Sequence, residues 1–336
     1  MTWTERRFAR NGAVELAYEQ LREGADGEPL LLVMGLAVSR HWWPAGLCAA
    51  LADAGFAVAR YDQRDSGESS RMPGNASPGN PFAALAGRRG AAYTAEDMAD
   101  DAAAVMDALG WESAHLFGHS LGGVVAQRMA LRHPDRVRTL TSSSALPSDV
   151  GGLGAFRHLR LGTLARFARV GPARSREERI AVGLTVARLC ASPGYPFDEA
   201  EALERITADV DTGIADAKAQ SRQIGAQWHG PALAELRVPT LVLHGTDDPL
   251  LKPSAARATA AAIPARGCCS SRAWAMRSRP HGTPPSPPRC ARWRARRAGR
   301  PGAGPPPAGG SDGRAAVQVK QRRSGSCQPK RGSAVR

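Results

Sequence analysis

Gly118-His119-Ser120-Leu121-Gly122-Gly123 stands between an apolar run, 114–117, and a helical pattern, 124–131. A strand that turns at once into a helix makes a crowded corner. Glycine at its two flanks removes the Cβ atoms that would collide there. The serine between them is forced to the tip of the turn, in a strained backbone conformation with its hydroxyl exposed. The helix directly behind it turns its free N–H groups and the positive end of its dipole to the same point. Gly118-x-Ser120-x-Gly122 in this setting is the pattern of a nucleophile elbow. A glycine-rich strand–helix turn without chemistry is the competing reading. The flanking strand and helix favour Ser120 as a nucleophile.

Outward from the elbow, the pattern alternates. Residues 29–34 form a continuous apolar run, the mark of a strand buried on both faces, and Gly35-Leu36-Ala37 follow it. A helix is expected over about 43–54 and another buried strand over 56–61, ending in Asp62-Gln63-Arg64-Asp65-Ser66-Gly67. After a Gly/Pro/Asn-rich loop, 71–90, Thr94 and Asp97 form a near capping box for a helix with Met98, Ala102, Val105 and Leu109 on its apolar face. Strands are expected at 137–142 and 238–245, a helix at about 254–262, and an N-terminal hairpin from 3–8 and 14–18. This alternation predicts an α/β fold, a mostly parallel sheet with helices on both faces. Function in such sheets gathers at the carboxyl ends of the strands, where Leu36, Asp62, Ser120 and Asp248 fall. Residues 147–231 differ. They are helical, with Arg157, Arg160, Arg166 and Arg169 on their faces, a break at 192–196 and no buried strand, which predicts a helical cap inserted between two strands.

Charge separates the body from the tail. The 336 residues carry a net charge of +14, but 16 of the 45 Lys and Arg side chains lie in 267–336 beside one acid, Asp312. Residues 1–266 carry a net −1, so the body has no polyanion-binding balance. The tail holds ten prolines and ten glycines, cannot bury a core, and is expected to be disordered. It lacks the interleaved aromatics and module motifs of a nucleic-acid binder. No run of 18 apolar residues is present to span a membrane, and residues 1–10 hold no apolar signal core, so a cytoplasmic protein is expected. Cys48 and Cys190 are scattered through the body, while Cys268, Cys269, Cys290 and Cys327 lack disulfide-framework or metal-site spacing.

Four motifs in order carry a resemblance: Met34-Gly35-Leu36, the Arg64-Asp65-Ser66-Gly67 turn, Gly118 to Gly123, and His244-Gly245-Thr246-Asp247-Asp248-Pro249 after a helical insertion. Over about residues 10–264 the chain resembles the α/β-hydrolase fold superfamily, most of all the branch of aclacinomycin methylesterase and related polyketide-ester hydrolases. The resemblance implies a serine hydrolase cleaving a carboxylic ester, a methyl ester among the candidates, with no cofactor and no metal. Its partner is a small-molecule ester rather than nucleic acid or a membrane. By the same resemblance Ser120 is the nucleophile, Asp248 the acid that orients a histidine, and the Leu36 and Leu121 N–H groups the oxyanion hole. Asp247 is the less favoured acid, because the family's acid directly precedes the proline. Asp62 and Arg64 are expected to hold their turn by buried charge pairing. His119 and His244 are expected to be packing histidines. Trp42, Trp43 and Trp228 either line an apolar pocket or pack the cap on the core. The alternatives within the fold are a cofactor-free haloperoxidase or perhydrolase, or a peptidase; outside enzymes, a non-catalytic ligand-binding relative.

The family then calls for one more buried strand and a Gly-x-Gly-His turn that supplies the general base. After Pro264 the sequence reads Ala265-Arg266-Gly267-Cys268-Cys269-Ser270-Ser271, and neither feature is expected from it. The genetic code offers a reason. Read from the third base of each codon, Cys268 and Cys269 become Leu, Met or Val, and Ser270 and Ser271, if coded TCN, become Leu, Ile, Phe or Val. Trp274 has one codon, so Ala275 becomes Gly, and Met276 becomes His, Asn, Asp or Tyr. The shifted frame thus reads as an apolar strand and a Gly-x-Gly-His turn, and a frame change near Pro264 is expected. His281, the one histidine after His244, sits among Pro and Gly with no strand to aim it. The expected architecture is a hydrolase core, 1–146 and 236–266, a helical cap, 147–235, and a disordered tail, 267–336, with the last strand and helix missing.

Overall fold

The computed structural model describes residues 1–22, 24–73, 92–151, 153–212, 218–264 and 266–271. Its sheet has eight strands among these residues: β1 (Arg7–Asn11), β2 (Val14–Gln20), β3 (Glu28–Val33), β4 (Phe56–Tyr61), β5 (Ala114–His119), β6 (Val137–Ser143), β7 (Thr240–Gly245) and β8 (Arg266–Ser271). They lie in the order β1-β2-β4-β3-β5-β6-β7-β8. The β1–β2 hairpin runs antiparallel onto β4, and the remaining pairs are parallel. The helices are α1 (Ala45–Asp53), α2 (Ala95–Ala108), α3 (Leu121–Arg132), α4 (Leu153–Phe156), α5 (Leu161–Phe167), α6 (Arg176–Cys190), α7 (Glu199–Thr212), α8 (Ala219–Gly225) and α9 (Ser254–Ala262).

The two-residue period of the strands divides the core into two layers. Leu31, Val33, Tyr61 and Leu116 face α2 and α3, where Met98, Val105, Val125 and Met129 meet them. Leu30, Leu32, Val58 and Phe117 face α1 and the inserted helices, packing with Leu51, Trp43 and Ile206. Because both faces are covered, β4 is buried along its whole length. Thr94 closes the start of α2. Its Oγ1 accepts from Asp97 N–H, and the Asp97 carboxylate accepts from Thr94 N–H at 2.7 Å.

Strand order reverses on either side of β3. The next strand in sequence, β4, lies to one side and β5 to the other, so the loops leaving β3 and β5 open a crevice at the carboxyl end of the sheet. Leu36 and Ser120 sit on those two loops.

The described residues of 147–235 carry α4 to α8, and an isolated bridge, Leu159 to Leu251, ties this segment to the one after β7. The expected absence of a last strand is corrected. Arg266–Ser271 pairs in parallel with β7, from Thr240 opposite Arg266 to Gly245 opposite Ser271. Residues 267–271 therefore belong to the sheet, not the tail. Backbone pairing is open to any non-proline residue at an unpaired edge, and an apolar pattern was the wrong criterion for it. The expected disorder of 272–336, and most of the 71–90 loop, lie outside the described residues.

Removing the Thr94 hydroxyl leaves a helix-end donor without its acceptor. Thr94→Ala is expected to lower stability by about 1 kcal/mol, read as a lower urea midpoint with an unchanged denaturant slope.

Candidate active site

Ser120 adopts φ 55° and ψ −122°, the strained elbow conformation expected for it. Its N–H donates to Ser143 O at 2.9 Å, and its carbonyl accepts from Gly123 N–H at 2.9 Å. The turn is held from both sides, which is how a non-glycine residue is kept at positive φ. The glycines show why no other residue fits. A Cβ on Gly118 would lie 2.2 Å from Gly122 O, and one on Gly122 would lie 2.0 Å from Val33 O. Gly35 faces Ser120 directly, its would-be Cβ 3.3 Å from Ser120 Cβ. The loop after β3 and the elbow after β5 are therefore in backbone contact.

The loop is itself constrained. Ala37 has φ 54°. Gln63 Nε2 donates to Met34 O, and Asp62 Oδ1 accepts from Arg40 N–H at 2.6 Å. The Leu36 and Leu121 N–H groups have no hydrogen-bond partner among the described residues, and Leu121 opens α3, whose first N–H groups lie beyond the reach of intrahelical carbonyls.

Asp248 is buried and Asp247 exposed, which distinguishes the two candidates for the acid. One Asp248 carboxylate oxygen accepts from the N–H groups of Leu250 at 2.9 Å and Leu251 at 2.8 Å. Its field reaches two histidines. Burial drives His119 down to about 4, and burial likewise lowers His244, while the Asp248 charge opposes both shifts. Both rings are neutral at pH 7. His119 Nδ1 lies 3.4 Å from Ser143 Oγ and its ring meets Trp43 edge-on, while His244 Nε2 lies 3.3 Å from Leu251 O. Among the described residues no histidine is hydrogen-bonded to the Ser120 hydroxyl, and His281 lies outside them.

Asp62 and Arg64 hold their turn as expected. Asp62 accepts from Arg40 and from Glu68 N–H, and Arg64 makes a two-pronged pair with Asp101 at 2.6 and 2.7 Å. A Cβ on Gly67 (φ 50°) would lie 2.1 Å from Asp62 Oδ2, so this glycine is required for the carboxylate to enter. The tryptophans divide. Trp43 packs on Phe117 at 5.4 Å, and Trp228 packs against the α2–α3 layer with its Nε1 donating to Pro231 O. Trp42 borders a cavity of about 30 Å³ with Cys190, Phe197 and Arg205, room for a water molecule or two rather than a substrate. Sequence reasoning missed Gln63, Asp209, Arg222 and Gln223, whose contacts join segments far apart in the chain. Among the described residues no group of three His, Cys, Asp or Glu is placed to hold a metal ion, and no helix is long and apolar enough to cross a membrane.

A family model described as alpha/beta hydrolase fold matches residues 28–270, and the chain belongs to that family. It is 31% identical over 277 residues to rhodomycin D methylesterase DauP of Streptomyces sp. (strain C5), covering 77% of this chain and 87% of the relative. Rhodomycin D methylesterase DnrP of Streptomyces peucetius is 32% identical over 279 residues, with the same coverage. Among solved structures, a hydrolase from Pseudomonas aeruginosa PA01 superposes with a TM-score of 0.57 at 25% identity, over 81% of this chain and 92% of that one.

Two outcomes follow from the site's packing and charge. Gly122→Ala drives a methyl group into Val33 O and is expected to cost at least about 3 kcal/mol of stability, measured by urea unfolding. His41 is lowered to about 3 by burial, then by Arg40 and Arg60, as His119 is to about 4. In the unfolded chain both take up a proton near the ordinary value of about 6.5. Stability is thus complete above that pH and declines as pH falls from about 6.5 toward 4. Urea midpoints at pH 7.5, 6 and 5 should fall in that order, and His119→Asn should flatten the decline.

Proposed function

We propose that this chain is a serine hydrolase of carboxylic esters, with a hydrolase core at 1–146 and 236–271 and a helical cap at 147–235. The observation that carries the reading is Ser120 itself, held at φ 55° with its side chain against Gly35 of the neighbouring loop. Ser120 Oγ attacks the ester carbonyl carbon. The charge that develops on the carbonyl oxygen is taken by the Leu36 and Leu121 N–H groups, each worth about 3–4 kcal/mol in such a site. A base accepts the serine proton and returns it to the departing alcohol, and water then repeats the sequence on the acyl-enzyme. Asp248, buried and with one oxygen already committed to backbone N–H groups, orients that base. Similarity to two rhodomycin D methylesterases favours a methyl ester as the substrate.

The base is a histidine encoded in the shifted frame after Pro264. Two observations support this. Among the described residues no histidine is hydrogen-bonded to the Ser120 hydroxyl, and the backbone of Arg266–Ser271 pairs with β7 where the shifted frame would supply four apolar residues. Without the base, a triad of this kind loses about 10⁴–10⁶ in rate, equivalent to about 5–8 kcal/mol of transition-state stabilisation.

The test is a high-accuracy nucleotide read across codons 255–288, followed by assay of both products on a small aryl ester. The shifted-frame product should hydrolyse it at least about 10⁴-fold faster than the present chain, and Ser120→Ala should abolish that difference. Turnover that survives Ser120→Ala unchanged removes the nucleophile assignment. Full turnover by the present chain removes the assignment of the base.

A further inference from the structure

The loop that carries Leu36 is pinned at both ends by the core, through Gln63 on Met34 O and Asp62 on Arg40 N–H. Between those points the hydrogen bonds of its Ala37 and Ser39 N–H groups go to the inserted helices. Gln223 Oε1, on α8, accepts from Ala37 N–H at 2.8 Å, and Asp209 Oδ1, on α7, accepts from Ser39 N–H at 2.8 Å. The other end of the Gln223 amide donates to Arg64 O at 2.8 Å and Ser66 Oγ at 2.9 Å. Beside it, Arg222 makes a two-pronged pair with Asp65 at 2.6 and 2.8 Å, buried on both sides. One residue of a helix thus joins the loop after β3 to the turn after β4. Ala37, held at φ 54°, supplies the N–H of the Leu36–Ala37 peptide, and the Leu36 N–H lies in the preceding Gly35–Leu36 peptide, joined to it at the Leu36 Cα, so a shift at Ala37 reaches the Leu36 N–H through that shared Cα.

We propose that Gln223 and Asp209 are positioning residues for the oxyanion hole, through which the inserted helices set the rate of the chemical step as well as the choice of substrate. This rests on the reading of Leu36 N–H as an oxyanion donor. Gln223 is almost completely buried and has all three of its bonds within the site, which commits its amide to one orientation. Asp209 is half-buried and adds the second acceptor two residues further on. Neither touches Ser120, so their effect acts through the backbone they hold.

Two readouts test the proposal in the full chain. The first is amide hydrogen exchange. In Asp209→Ala and Gln223→Ala, exchange in the peptide spanning 34–40 should accelerate at least about tenfold, while β5 and α2 keep their protection. Asp209→Asn, which retains an acceptor oxygen for Ser39 N–H, should exchange as the parent does. The second is acetylation of Ser120 by p-nitrophenyl acetate, accumulated over hours and followed by mass spectrometry of the Ser120 peptide. In that step a bond forms from Ser120 Oγ to the acetyl carbon, p-nitrophenolate departs with the bonding electron pair, and the hydroxyl proton passes to solvent. The acetylation rate at saturation should fall about 10- to 100-fold in both alanine variants, with the concentration for half-saturation unchanged, and Asp209→Asn should stay within about twofold of the parent. Unchanged exchange at 34–40 overturns the proposal. Faster exchange with an unchanged acetylation rate overturns its link to the oxyanion hole. Release of p-nitrophenolate at the parent's rate in Ser120→Ala overturns the functional reading instead, and leaves the exchange result to decide whether the helices hold the loop. Gln223→Ala removes three buried bonds, so Asp209→Ala, at a half-buried position, serves as the variant that keeps the fold.

Discussion

Two backbone segments approach each other here more closely than side chains allow, and the candidate active site is built on that contact. The end of β3 and the start of α3 meet with no Cβ between them, since Gly122 packs on Val33 O and Gly35 on Ser120. Packed interiors tolerate little change in volume, so this contact fixes the distance between the Ser120 turn and the loop bearing Leu36. Everything else in the region adapts to it: the strain at Ser120, the positive φ of Ala37, and the reversal of strand order at β3 that brings the two loops side by side.

Much of this was legible in the residues. Largely apolar runs gave β3, β4 and β5 to within a residue or two, because strands buried on both faces are apolar at most positions, Arg60 and His115 being buried with polar partners. Thr94 and Asp97 announced the start of α2 through local hydrogen bonding. The Gly-x-Ser-x-Gly spacing announced the elbow through a steric demand confined to six residues. The eighth strand was not legible, since its pairing is a backbone property that Arg266, Gly267 and the residues after them do not advertise. Gln223, Asp209 and Arg222 were also missed. Their partners lie about 160 to 190 residues earlier in the chain, and a glutamine in an amphipathic helix looks the same whether it meets solvent or a loop. Local signals report local physics, and the residues that join distant segments carry none.

Beneath the site lies a buried set of charges: Glu19, Arg40, Arg60, Asp62 and Glu68. Removing one member of such a set leaves an uncompensated buried charge, which costs about 3–5 kcal/mol, whereas the assembled set adds little net stability over well-packed apolar residues. Its structural effect is registry. Arg40 follows the loop of Leu36, Asp62 follows β4, and Arg60 and Glu19 lie on neighbouring strands, so the set aligns the outer half of the sheet with the crevice.

The helical insertion enters after β6 and returns before β7, which in outline makes it a module that could be exchanged between relatives. The Arg222–Asp65 pair sets the terms of such an exchange. Asp65 is completely enclosed, and its carboxylate is met by a guanidinium that arrives only with the insertion. A transplanted insertion lacking an arginine at that place would strand a charge in the core, and one lacking a glutamine beside it would leave the Ala37 amide without its acceptor. The boundary between scaffold and insertion therefore does not follow the chain. Asp209, Arg222 and Gln223 of the insertion are bonded into the scaffold, and a chimera that respects only the sequence junctions would join two parts that do not share a common interior.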